Sequence, residues 1–192
     1  METFMKIETR VVNDKSYKSL QVTRLDTRGK IMDVQDLVTY SKNNEDWNIF
    51  EKVAINVTEY GEGKKSTNIR HFCDLDDFLL LAKDLADKKE VNFKDYKGSK
   101  SDKYSTGYEA RVLVVESWAE GGRGAGAYKF TFTSGPGTPG DKGQVSLVRG
   151  AEVTTVTVTV SIQEARKAFL YAYNYFNNKQ TAFLATNWKL LY

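Results

Sequence analysis

The chain has 192 residues, with one Cys, one His and two Pro, and 41% hydrophobic against 28% charged residues. One Cys excludes an intramolecular disulfide, and one Cys with one His leaves a structural zinc site short of its four ligands. The net charge of +3 divides into −2 over residues 1–96 and +5 over residues 97–192, so a basic half follows a slightly acidic one. The start lacks the basic region and apolar run of a secretory signal, and no stretch approaches the roughly 18 apolar residues of a membrane span. A cytoplasmic protein with no membrane partner is expected.

Alternating β-branched and polar residues predict strands over 6–12 and 18–25, with Asn13-Asp14-Lys15-Ser16 as the turn between them. Thr27-Arg28-Gly29-Lys30 predicts a further turn before a short strand over 31–34. Residues 35–50 read as a short helix and a loop. Val53, Ile55 and Val57 alternate with Ala54, Asn56 and Thr58 in the next strand, and the glycines of 61–65 suit a hairpin loop. A returning strand spans 67–72. Asp74 then caps a helix whose Leu75, Phe78, Leu79, Leu81, Ala82 and Leu85 recur at helical spacing. Residues 94–107, rich in Lys, Ser, Asp, Gly and Tyr, read as a linker.

The second half repeats the plan. Strands are predicted over 110–118, 128–133, 144–149 and 153–160, with loops at 120–126 and 135–140. A helix starts at Ser161, which forms a capping box with Glu164. The two strand-to-helix junctions superpose without gaps: Ile69 on Val156, His71 on Val158, Asp74 on Ser161, Leu75 on Ile162 and Asp77 on Glu164. The expected fold class is α+β, with two ββββα repeats of antiparallel sheet and helices packed on one side. The units are 1–93 and 108–192, joined by the linker 94–107 into one fused folded body.

Period-two counting assigns the sheet face turned away from the helices. It holds Ser19, Gln21 and Thr23; Lys52, Ala54, Asn56, Thr58 and Tyr60; and Asn68, Arg70 and Phe72. In the second half it holds Lys129, Thr131, Thr133, Gln144, Ser146, Val148, Thr155, Thr157 and Thr159. None of these is acidic, which suits a polyanion, although strands favour Thr and avoid Asp in any case. Trp118, Tyr128, Arg111, Arg123 and Arg149 cluster in sequence around the Gly-rich segment 121–126. Basic and aromatic residues interleaved in this way suit single strands, whose unstacked bases offer their faces. The candidate nucleic-acid contacts are Lys52, Tyr60, Arg70, Arg111, Trp118, Arg123, Tyr128, Lys129 and Arg149.

Catalytic chemistry finds little support. Segment 121–126 is not a P-loop, because G-x-x-x-x-G-K-[ST] is absent and no helix follows it. His71 and Cys73 share a strand face that leads into the core, so packing is expected of them rather than nucleophilic catalysis. Glu116 and Glu120 have no pocket to share. No catalytic residue, metal or cofactor is assigned, and the chain reads as a non-enzyme. The last helix carries Ala165, Ala168, Phe169, Ala172, Tyr173 and Phe176 in one stripe, with Tyr171 and Tyr175 beside it. That width, with the aromatic tail to Tyr192, points to a homo-oligomer.

Two four-strand-plus-helix units over about residues 6–89 and 108–180 resemble the Whirly and Pur-alpha group of single-stranded nucleic-acid binding proteins. The transcriptional positive cofactor 4 family is similar, with one such unit per chain. Tyr96-Lys97-Gly98-Ser99-Lys100 echoes the Whirly signature Lys-Gly-Lys-Ala-Ala-Leu, which the chain lacks. The resemblance implies helices on one side of the sheets and nucleic acid on the other. Two functions are carried forward: single-stranded DNA or RNA binding with low sequence specificity, and a protein-interaction or assembly module built on the same scaffold.

Overall fold

A computed structural model describes residues 7–12, 15–43, 46–61, 66–117, 126–140 and 144–187. The first sheet runs in the order β1 (Ile7–Val12), β2 (Lys15–Thr27), β3 (Lys30–Asp36), β6 (Lys52–Glu59) and β7 (Thr67–Asp74). All its pairings are antiparallel. Between β3 and β6 the chain forms a separate hairpin of β4 (Thr39–Asn43) and β5 (Asp46–Phe50). Residues 39–43 and 46–50 are therefore strand rather than helix: the first of them alternates Thr39, Ser41 and Asn43 with Tyr40 and Lys42, a period of two. Helix α1 (Leu75–Ala86) follows β7 directly.

The second sheet joins β8 (Asn92–Lys100), β9 (Tyr108–Ser117), β10 (Ala127–Pro139) and β12 (Thr154–Ser161), again antiparallel. The short β11 (Val145–Leu147) pairs with the far end of β10. Helix α2 (Ile162–Asn187) closes the described chain. Strand β12 begins and ends 87 residues after β7, and α2 begins 87 residues after α1.

Two sequence expectations change here. The segment 94–107 is not a linker: its first half belongs to the edge strand β8, and a turn over 101–107 carries the chain into β9. Its Lys, Ser and Gly content is that of a strand with one wet face and an open edge. The segment 135–140 continues β10 as far as Pro139. Its glycines serve close approach, since a Cβ on Gly137 would meet Val145 Cγ1 at 2.4 Å and one on Gly98 would meet Val145 Cβ at 2.2 Å. Those two glycines let β11 fold back against β8 and β10.

One core cluster unites both sheets and both helices. Val53, Ile55 and Val57 of β6 alternate onto the inner face of the first sheet, and Phe130, Phe132, Val156 and Val158 do the same in the second. From α2, Phe169 stacks on Phe130 with ring centroids 5.6 Å apart, and Phe176 meets Phe78 of α1 edge-on at 5.4 Å. The helices pack on each other over this shared face. Tyr175 and Lys179 of α2 donate to the buried Asp36 of β3, tying α2 to the first sheet.

The two junctions are capped differently. Ser161 accepts the Glu164 N–H at 3.3 Å, as the capping motif predicts, and its hydroxyl, in place of its N–H, donates to the Glu164 carboxylate at 2.6 Å. Asp74 occupies the N-cap of α1 but makes no side-chain cap bond. Its carboxylate takes Lys52 and Lys97 instead.

Candidate nucleic-acid interface

The first sheet stands with its edge strand β7 on the inner face of the second. On one side of β7, His71 meets Asp95 of β8 at 2.9 Å inside the core. On the other side, Asp74 meets Lys97 of β8 at 2.6 Å, and Phe72 meets Arg111 of β9. A corner results between the outer face of the first sheet and the end of the second.

Phe72 centres that corner. The guanidinium carbons of Arg70 and Arg111 lie 5.4 and 5.5 Å from its ring centroid. Arg70 also donates to Gln35 Oε1 at 2.7 Å, reaching from β7 to β3 across β6. The small residues Ala54 and Asn56 of β6 lie beneath this span and are buried, although they belong to the outer face. Lys52 lies one pleat along from Ala54, at the same end. Planar guanidinium groups and an aromatic ring offer stacking surfaces and phosphate donors in one place.

Carboxylates balance these cations. Hydrogen bonds from Lys52 and then Lys97 hold the Asp74 carboxyl below its ordinary range. Burial pushes the Asp95 carboxyl up, but the bonds from His71 and Lys97 outweigh it and bring it down. Glu109 is likewise raised by burial and lowered further by Ser134 and Arg111. The Lys97 ammonium is lowered by burial and raised more strongly by Asp74 and Asp95. A phosphate entering the corner competes with fixed carboxylates.

The face is not free of acid, as the sequence count has it. The β2–β3 register shifts between Gln21 and Thr23. This bulge turns Thr23 inward, where it is buried, and puts Arg24 and Asp26 on the outer face. Asp33 of β3 lies there too and accepts from Asn56 Nδ2 at 2.7 Å.

The structure brings Lys52, Arg70 and Arg111 together. Tyr60 is exposed at the opposite end of β6, where its N–H donates to the Gly29 carbonyl at 2.9 Å. Lys129 lies on the outer face of the second sheet among Thr131, Thr133, Thr155, Thr157 and Thr159. Arg149 is exposed after β11. Tyr128 departs from expectation: it is 1% exposed and donates its hydroxyl to the Lys89 carbonyl at 2.9 Å, so its ring faces core rather than solvent. Trp118 and Arg123 lie outside the described residues. Sequence reasoning missed Lys97, read as linker, and left Phe72 out of the site. The pairing of Arg70 with Phe72 at an i, i+2 strand spacing is the signal that marks it.

His71, Cys73 and Asp95 offer ligand atoms within 4.8 Å of one another. Their chemistry opposes a cation, because the Lys97 ammonium already sits 3.0 Å from Asp95, and burial pushes the Cys73 thiol well up. Both residues of the strand pair are fully buried, as core packing requires.

No protein-family model and no curated protein sequence matches the chain. Solved structures do. WHY1 from Arabidopsis thaliana aligns over 94% of each chain at 8% identity with a TM-score of 0.47. The plant transcriptional regulator PBF-2 aligns over 96% of this chain and 90% of its own, at 10% identity and a TM-score of 0.52. That likeness spans both sheets and both helices, and the chain has a Whirly-like fold.

Proposed function

We propose that the protein binds single-stranded DNA or RNA without catalysis and with low sequence specificity. The observation that carries this reading is Phe72 at the sheet junction, with Arg70 from one sheet and Arg111 from the other over its ring. Unstacked bases stack on the ring or on a guanidinium plane, and the arginines meet phosphates, with Lys52 and Lys97 beside them held by Asp74. The Whirly-like fold supports the reading. Tyr60, Lys129 and Arg149, away from the corner, are proposed as secondary contacts along a longer strand, and Trp118 and Arg123 on sequence grounds alone. Titration of labelled single strands and of the matching duplex tests this. Salt-sensitive binding of single strands in preference to duplex is expected, and no binding to single strands at low salt would overturn it.

Self-association is the second reading. Leu170, Tyr171 and Leu184 are exposed on α2, on the side left free by the core stripe. A homo-oligomer formed through α2 buries them, leaves the corner open, and serves an assembly role equally well. Solution mass of the wild type and of Leu170→Lys separates an oligomer from a monomer.

A further inference from the structure

The edge strand β8 has an orientation that can be read from its two ends. Ser117 N–H donates to the Val91 carbonyl, and Ser101 N–H to the Gly107 carbonyl, both at 2.9 Å. Both bonds lie in the β8–β9 register, so the odd-numbered residues of β8 exchange backbone bonds with β9. Asn92, Lys94 and Tyr96 therefore direct both their N–H and their C=O away from the sheet. Among the described residues no backbone or side-chain bond takes them. This edge is long, regular and solvent-facing, with Tyr96 63% exposed.

The surroundings of the edge have two different characters. On the α1 side lies a groove of about 270 Å³ whose lining includes Asp77, Leu80, Asp84, Glu90 and Phe93. Leu80 is 67% exposed. Asp84 is paired with Lys89, whereas Asp77 and Glu90 hold no ion pair among the described residues. On the other side stand Lys94, Tyr96 and Lys100, beside Val114 and Val112 of β9, with Glu116 of β9 opposite Asn92 at the start of the strand. A strand added to this edge alternates its side chains between an acidic, apolar groove and a basic, aromatic face.

We propose that the β8 edge is a strand-addition site for an extended segment of a partner protein. That segment alternates basic or aliphatic residues toward α1 with acidic residues toward Lys94 and Tyr96. Main-chain bonds to Asn92, Lys94 and Tyr96 supply the general affinity, and the charge alternation supplies the selection. The site is separate from the Phe72 corner and does not depend on nucleic-acid binding.

The probe is the synthetic peptide acetyl-Lys-Glu-Val-Glu-Lys-Glu-Val-amide, added to the full chain, with amide hydrogen exchange as the readout. In the free protein the amides of Asn92, Lys94 and Tyr96 exchange fast while those of Phe93 and Asp95 are protected. At ten times its Kd the peptide slows the three fast amides about tenfold. The same peptide with both Lys replaced by Glu leaves them fast. Tyr96→Pro removes an outward N–H that β9 does not use, so the fold tolerates it and the protection is lost, while Tyr96→Ala retains it. Three results would overturn the proposal: exchange unchanged at about 1 mM peptide, Tyr96→Pro protected like the wild type, or slow amides in the free protein with a dimeric mass. The last would assign the edge to a second copy of this chain.

Discussion

Arg111 of the second sheet lies over Phe72 of the first, its guanidinium carbon 5.5 Å from the ring centroid. The two residues share no strand ladder. They meet because β7 stands on the second sheet, so the contact is a property of the whole fold. Phe72→Ala removes the ring but leaves Arg70 its Gln35 partner and Arg111 its Glu109 partner. Loss of one stacking surface costs about 1–3 kcal/mol per base, so single-strand affinity should fall about tenfold or more with little change in its salt dependence. Arg111→Ala should instead flatten the salt dependence. Anisotropy titrations at several salt concentrations measure both, with a thermal melt to show that each variant is folded.

Acid should weaken the junction between the sheets. Asp74 is lowered by its lysine partners, and Asp95 and Glu109 end below their ordinary values despite burial. A carboxyl depressed in the folded state contributes stability that is fully present above its unfolded pKa, near pH 4, and lost as pH falls through the folded value. Denaturant midpoints should be flat above about pH 5 and fall below about pH 4. Asp95→Asn removes the carboxylate that accepts from His71 and pairs with Lys97, and should cost about 2 kcal/mol at neutral pH. The cost should shrink as the wild-type carboxyl itself becomes protonated. A variant equally destabilised at every pH would place the effect in packing instead.

Local chemistry made much of this fold readable. The alternation at Val53, Ile55 and Val57 predicted β6, that at Val156, Val158 and Val160 predicted the strand that enters α2, and the two strand-to-helix junctions fell 87 residues apart as aligned. What escaped depended on distant contacts. The Lys- and Gly-rich segment 94–107 looks like a linker because, of its strand residues, only Asp95 and Lys97 make contacts on the inner face, and Gly98 is small for the sake of Val145. The bulge between Gln21 and Thr23 leaves no local mark, yet it reverses the face of every later residue in β2. Lys52, Arg70 and Arg111 were legible as cations on strands. That they converge on Phe72 follows from one sheet standing on the other, which period counting within single strands does not show.

Gly98 should tolerate no side chain. A Cβ there would lie 2.2 Å from Val145 Cβ, and both atoms belong to strands held in register. Gly98→Ala should cost about 1–3 kcal/mol as β11 is pushed off β8. Val145→Gly removes the opposing atoms, so the double variant should be close in stability to Val145→Gly alone. A double-mutant cycle by chemical denaturation gives the coupling. Additive costs would show that Val145 does not sit over Gly98 in solution.

Asp74 holds two lysines that a phosphate would otherwise use. It ion-pairs with Lys52 and Lys97 and gives α1 no side-chain cap. Asp74→Asn keeps the size and the cap-compatible backbone preference while releasing the Lys52 ammonium into the corner; Lys97 keeps its pair with Asp95. If nucleic acid lies there, affinity should rise at low salt. The logarithmic salt slope should steepen by about 0.7, from one added contact on a single strand. Asp87→Asn makes the same charge change at the far end of α1, where the partner is Lys83. It should leave the slope unchanged. A rise shared by both variants would reduce the effect to net charge, and no rise in Asp74→Asn would confine the phosphate track to the arginines.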